Sequence, residues 1–143
     1  MKNILFLVVL FFSINAIGQD LTCSDFKEGT LYAEISEPFK LKWKITREDN
    51  TQIEEIIEIP VEIVEMGYPM NPRYEIIKWL DDCSYVLMYD ESKSELTEIQ
   101  ININKNGGVL TTVTNIEGKC FNYTSRLVAD GLEKTLEGKL CKE

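Results

Sequence analysis

A two-residue rhythm of apolar and polar side chains, broken at short intervals by turn residues, limits this chain to antiparallel β-structure. Phe39, Leu41, Trp43 and Ile45 alternate with Lys40, Lys42, Lys44 and Thr46, the pattern of a strand with one apolar and one solvated face. Ile57, Ile59, Val61 and Ile63 alternate with Glu58, Pro60 and Glu62, which predicts a second strand with Pro60 at an edge or bulge. Ile99, Ile101 and Ile103 repeat the pattern, and residues 109–115 are rich in β-branched side chains. Residues 74–80 and 85–89 are apolar on both faces and read as well-buried strands.

Turn signals separate these runs: Ser36-Glu37-Pro38, Glu48-Asp49-Asn50, Asp81-Asp82, Asn106-Gly107-Gly108, Glu117-Gly118 and Asp130-Gly131. Asn-Gly and Asp-Gly favour tight hairpins because both central residues must take positive φ. The result is eight or nine strands with short connections. No long segment has helical periodicity, and only residues 24–29 read as a helical turn, capped by Ser24 and stopped by Gly29. Strands joined by hairpins must hide their edges, and a meander order favours a small up-and-down barrel over a Greek-key sandwich. The expected fold is all-β, an antiparallel up-and-down barrel of lipocalin-like type in a single domain over residues 19–143.

Residues 1–18 read as an export signal. Lys2 gives a positive start, residues 4–12 are apolar, and Ala16 and Gly18 stand at −3 and −1 of a cut before Gln19. The apolar run falls short of the ~20 residues that a membrane span needs. Cleavage removes one lysine, leaving 14 Lys+Arg against 24 Asp+Glu, a charge of −10 over 125 residues. So acidic a domain is not built to bind nucleic acid. Export, periplasmic or secreted, places Cys23, Cys83, Cys120 and Cys141 in an oxidising compartment, where an even number reads as disulfides with three possible pairings. A zinc site is disfavoured because the chain has no His and no close Cys pair.

The same absence of His removes the usual base for a Ser or Cys nucleophile, and no G-x-S-x-G occurs. The doublets Glu54-Glu55, Asp81-Asp82 and Asp90-Glu91 read as solvated charge, since neighbours on a strand face opposite ways. No calcium loop is present. The chain is therefore read as non-enzymatic, with no cofactor and no metal. Arg47 and Gln52 flank the turn at residues 48–50, so they pair across a hairpin and bring Arg47 near Glu54.

Phe26-Lys27-Glu28-Gly29-Thr30-Leu31 resembles the helical turn that opens lipocalin-like and fatty-acid-binding-like barrels. A second resemblance rests on Cys23-Ser24-Asp25-Phe26-Lys27-x-Gly29-Thr30, Ile45-Thr46-Arg47, Thr51-Gln52-Ile53-Glu54 and Lys78-Trp79-x-x-Asp82-Cys83-x-Tyr85-x-Leu87. These are similar to a family of short exported bacterial proteins of unknown function, some of which carry a "DNA topoisomerase IV" label. An exported acidic domain cannot be that large DNA-handling enzyme. Cys23 and Cys83 both flank strands of the family-like region and the other two cysteines fall in the last two strands, so the expected bridges are Cys23–Cys83 and Cys120–Cys141.

The functional expectation is a barrel holding a small apolar or amphipathic ligand in a modest cavity. That cavity is bordered by Trp43, Trp79 and Tyr85, with Arg47 near one mouth and Thr111 and Thr135 facing inward. The alternative is an envelope interaction module with a filled core and no ligand.

Overall fold

The computed structural model describes residues 20–143; the expected export signal, residues 1–18, and the expected cut before Gln19 lie outside them. Eight antiparallel strands form a closed barrel in which each pairs with its sequence neighbours and the last returns to the first. They are β1 (Gly29–Ile35), β2 (Leu41–Glu48), β3 (Thr51–Glu58), β4 (Arg73–Trp79), β5 (Ser84–Tyr89), β6 (Val109–Glu117), β7 (Cys120–Ala129) and β8 (Leu132–Lys142). The tight turns follow the chemistry of their residues. Asp49 and Asn50 take φ of 47° and 62° between β2 and β3, and Asp130 and Gly131 take 54° and 75° between β7 and β8.

One end of the barrel is shut by a 3₁₀ turn, Cys23–Phe26. It is capped by Thr22 with Asp25 rather than by Ser24, because the Asp25 carboxylate accepts from both the Thr22 N–H and its hydroxyl. Phe26 enters the barrel and meets Phe121 edge-on at 4.7 Å, in a core completed by Leu31, Ile45 and Leu140. Two disulfides tie this end together. Cys23–Cys83 fastens the 3₁₀ turn to the β4–β5 connection, and Cys120–Cys141 joins facing residues of β7 and β8. Lys27 adds a 2.7 Å ion pair to Asp82.

Three sequence expectations need correction. The isoleucines 99, 101 and 103 lie on a helix, α2 (Glu98–Lys105), not on a strand. Thr97 and Gln100 form a reciprocal capping box and Asn106-Gly107 ends the helix, local signals that outweigh a three-residue alternation. β3 stops at Glu58, and Pro60 starts a short helix, α1 (Val61–Glu65), since its fixed φ of −61° suits a helix entrance. Two connections are consequently long: residues 59–72 join β3 to β4, and residues 90–108 join β5 to β6. Finally, β4 is buried on one face only. Glu75 and Ile77 point inward, while Ile76 and Lys78 are exposed.

The long connections stand at the end opposite the 3₁₀ turn. Helix α2 is pinned there by Asn104, whose amide bonds both the N–H and the C=O of Tyr89 at 2.9 Å. Asn102 accepts from the Asp130 N–H at 3.1 Å, which ties the helix to the β7–β8 turn. Among the described residues no helix is long and apolar enough to cross a membrane.

Candidate functional site

The register of β2, β3 and β4 builds a polar cluster inside the barrel. Arg47 faces Gln52 and Gln52 faces Glu75, while in the next inward row Ile45 faces Glu54 and Glu54 faces Arg73. Five inward positions on three adjacent strands are thus polar. The sequence pairing of Arg47 with Gln52 holds, but its setting is buried rather than a surface contact.

Arg47 is only 2% exposed and is fully engaged. Its Nε donates to Gln52 Oε1 at 2.8 Å, Nη1 to the Phe26 carbonyl at 3.0 Å, and Nη2 to the Tyr85 hydroxyl at 2.6 Å. Its guanidinium carbon also lies 4.7 Å from the Tyr85 ring centre. The expectation that Arg47 stands near a mouth is corrected: it lies under the 3₁₀ turn, at the shut end. There it bridges the turn to β3 and β5.

From Gln52 the network runs outward. Its amide nitrogen donates to Glu75 Oε2 at 2.6 Å and to Glu54 Oε1 at 2.9 Å, and Arg73 donates to the other Glu54 oxygen. Burial, with the Glu54 carboxylate beside it, pushes the Glu75 carboxyl well above the usual carboxylate range. A protonated Glu75 satisfies the geometry, since it accepts from Gln52 and has a proton to donate to Glu54. For Arg73, burial pulls the other way, but the neighbouring Glu54 and Glu75 prevail and raise its pKa. Burial also raises the Tyr85 and Tyr89 hydroxyls, and it carries Tyr123 up to about 12. These phenols stay neutral donors at any physiological pH.

Two cavities meet at this cluster. One, of about 300 Å³, occupies the barrel interior against Trp43, Arg47, Glu75, Tyr85, Leu87 and Tyr123. The other, of about 570 Å³, lies at the open end between the two long connections and touches Tyr68, Pro72, Tyr74 and Gln100. Trp43, Glu54, Arg73 and Tyr89 belong to both walls, so the cavities adjoin. The Trp43 indole N–H is buried without a hydrogen-bond partner, and Arg73 is partly exposed to the space. An unmet donor of this kind costs about 1–3 kcal/mol until an acceptor reaches it.

Of the residues singled out from sequence, Trp43, Arg47 and Tyr85 come together on the interior wall. Trp79 does not line either cavity; its ring packs against Tyr85 at 4.8 Å, tilted by 57°, toward the shut end, with Lys27 over it. Thr111 is buried and shares a 2.8 Å hydrogen bond with Ser125, whereas Thr135 is exposed on β8. Glu54 is another correction: it faces inward, while its neighbour Glu55 faces out to Lys44 at 3.5 Å.

Sequence reasoning passed over Arg73, Glu75 and Tyr123, whereas Tyr74 and Tyr89, which the sequence offers among the aromatics able to line a cavity, do so. Arg73, Glu75, Ile77 and Trp79 share one face of β4, but Tyr74 and Ile76 make the opposite face just as apolar. Among the described residues no three His, Cys, Asp or Glu side chains are grouped to hold a metal ion. No family model matches the chain, and comparison with curated proteins and with solved structures found no match.

Proposed function

We propose that this protein is an exported, non-enzymatic barrel that binds a small amphipathic ligand in its interior. The observation that carries this reading is the pair of adjoining cavities with a divided lining. Leu87, Val109 and Leu127 offer an apolar wall, and Arg73, Glu54 and the unpartnered Trp43 N–H offer hydrogen bonds at one place. Binding sites for small molecules combine these features in volumes of about 300–1,000 Å³. Two disulfides suit the oxidising compartment that an exported protein reaches.

Trp43 lies on both walls, so its emission reports occupancy. A fluorescent fatty-acid or retinoid-like probe is expected to bind at micromolar concentration and quench tryptophan emission. The quench persists in Trp79→Phe, where Trp43 is the remaining tryptophan, and binding weakens in Trp43→Ala. Failure to bind across a broad panel of apolar and amphipathic probes, with an unchanged melting temperature, would overturn the ligand reading.

The interaction-module alternative draws on one observation. Val61, Val64, Met66 and Met70 are exposed on the β3–β4 connection, whose Tyr68, Pro69 and Pro72 line the larger cavity. The two readings part on whether a probe binds inside the barrel: the interaction module holds none, and substitutions in the interior then leave its properties unchanged.

A further inference from the structure

The barrel wall is uneven where it closes. β1 ends at Ile35, so among the described residues the first half of β8, residues 132–137, has no strand on its far side. Burial shows the consequence for the interior. Ser125 and Ala129 on β7 point inward and are 6% and 3% exposed. Leu136 and Leu132 stand opposite them on β8 and face the same way, yet they are 55% and 65% exposed. On β1, Ile35 is 47% exposed although its β2 partner Leu41 is buried. Ile35 and Leu136 both line the interior cavity. Side chains that face the interior and also meet solvent mark an opening, a notch in the wall between β1 and β8.

The notch lies across the barrel from the place where the two cavities join. That junction is built by Glu54 on β3 and Arg73 on β4, and β4 is four strands from β8 in a ring of eight. The interior is thus a passage, polar where it meets the outer cavity and apolar where it leaves between Ile35 and Leu136. We infer that its ligand is a single extended amphipathic chain, with its head at Arg73 and its tail running out through the notch. This rests on the ligand-binding reading above and sets the shape of the ligand. Among the described residues Arg73 donates to Glu54 through Nη2 alone, so its other N–H groups remain for an acceptor on the head. The outer rim of the notch carries Glu34, Glu137 and Lys139, which offer a charged head no single favourable sign. The interior volume of about 300 Å³ takes about ten chain atoms at a liquid-like ~30 Å³ each. A longer chain need not fold back, because its excess passes over Ile35 and Leu136 and covers them.

The test is a chain-length series of saturated carboxylates, octanoate to tetradecanoate, titrated by calorimetry into the oxidised protein with circular dichroism as the folding control. Wild-type affinity is expected to rise about fourfold per methylene until the interior is filled, at about ten carbons, and to hold for the longer chains. Leu136→Trp, a change at an exposed position, plugs the notch. Octanoate is expected to bind it as before, and tetradecanoate at least about tenfold more weakly. Leu136→Ala leaves the notch open and is expected to keep the wild-type dependence on length. A wild type that rejects chains longer than the interior overturns the passage and leaves the ligand reading standing. So does a Leu136→Trp protein that binds every chain as the wild type does, or one that loses octanoate and tetradecanoate equally. Binding of no chain at all overturns both.

Discussion

Replacing Glu75 by Gln tests the buried cluster at its most informative point. In the folded protein burial and the adjacent Glu54 hold the Glu75 carboxyl protonated above its ordinary value of 4.5, whereas in the unfolded chain it ionises normally. The stability this group supports is fully present below the unfolded pKa and is lost as pH rises toward the folded one. Across that window the native state keeps a proton that the unfolded state has released, so stability falls by about 1.4 kcal/mol per pH unit. Between pH 5 and 6.5 the loss is about 2 kcal/mol so long as Glu75 stays protonated when folded. Gln mimics the protonated acid: its oxygen accepts from Gln52 and its nitrogen donates to Glu54. The expected outcome of urea unfolding across this range is a falling stability for the wild type and a flatter curve for Glu75→Gln, which becomes the more stable protein at pH 6.5. The exposed Asp25, Asp82 and Asp90, whose pKa values hydrogen bonds depress, lose their contributions at lower pH and leave the window clear. Parallel curves, or a Gln variant weaker at pH 6.5, would refute a protonated Glu75.

Two further outcomes follow from the packing. Gly138 on β8 has the Tyr123 ring lying over its backbone, and a Cβ there would meet the Tyr123 hydroxyl at 2.3 Å and its ring carbons at 2.4 and 2.8 Å. Gly138→Ala is expected to displace Tyr123 into the cavity and destabilise the barrel by about 1–3 kcal/mol in urea unfolding; unchanged stability would show that the ring turns aside freely. Removing the Cys23–Cys83 bridge by a double Ser substitution is expected to lower unfolding stability by about 2–4 kcal/mol, and no loss would mean that Phe26 and Lys27 hold the 3₁₀ turn unaided.

The barrel was legible because alternation on β2 and β-branched content on β6 and β7 agree with the turn residues between strands. Where alternation and local capping conflicted, alternation misled. Three isoleucines spaced by two look like a strand, yet in Thr97-Glu98-Ile99-Gln100 the cap decides, and α2 leaves Ile99 exposed while burying Ile103. Pro60 likewise marks a helix entrance rather than a bulged strand. Arg47 with Gln52 was readable because a two-residue turn fixes their register locally. Glu75 was not: placing it opposite Gln52 requires the β3–β4 register, which passes through a connection of uncertain length in sequence alone.

Under the proposed function, the two ends of the barrel divide stability from recognition. At the shut end every demanding group is met: Arg47 spends its donors on Phe26, Gln52 and Tyr85, Phe26 fills the space beside Phe121, and both disulfides lie nearby. Toward the open end the same network is left incomplete, with Arg73 half-exposed and the Trp43 N–H unpaired. A core selected for stability alone would replace such a chain of charges with apolar side chains of similar volume, since buried ion pairs rarely repay their desolvation. Running from a sealed anchor at Arg47 to an unmet donor at Trp43, the cluster instead holds its outer groups in fixed directions. Preorganised donors beside an apolar wall are what a binding site needs and what a packed core avoids.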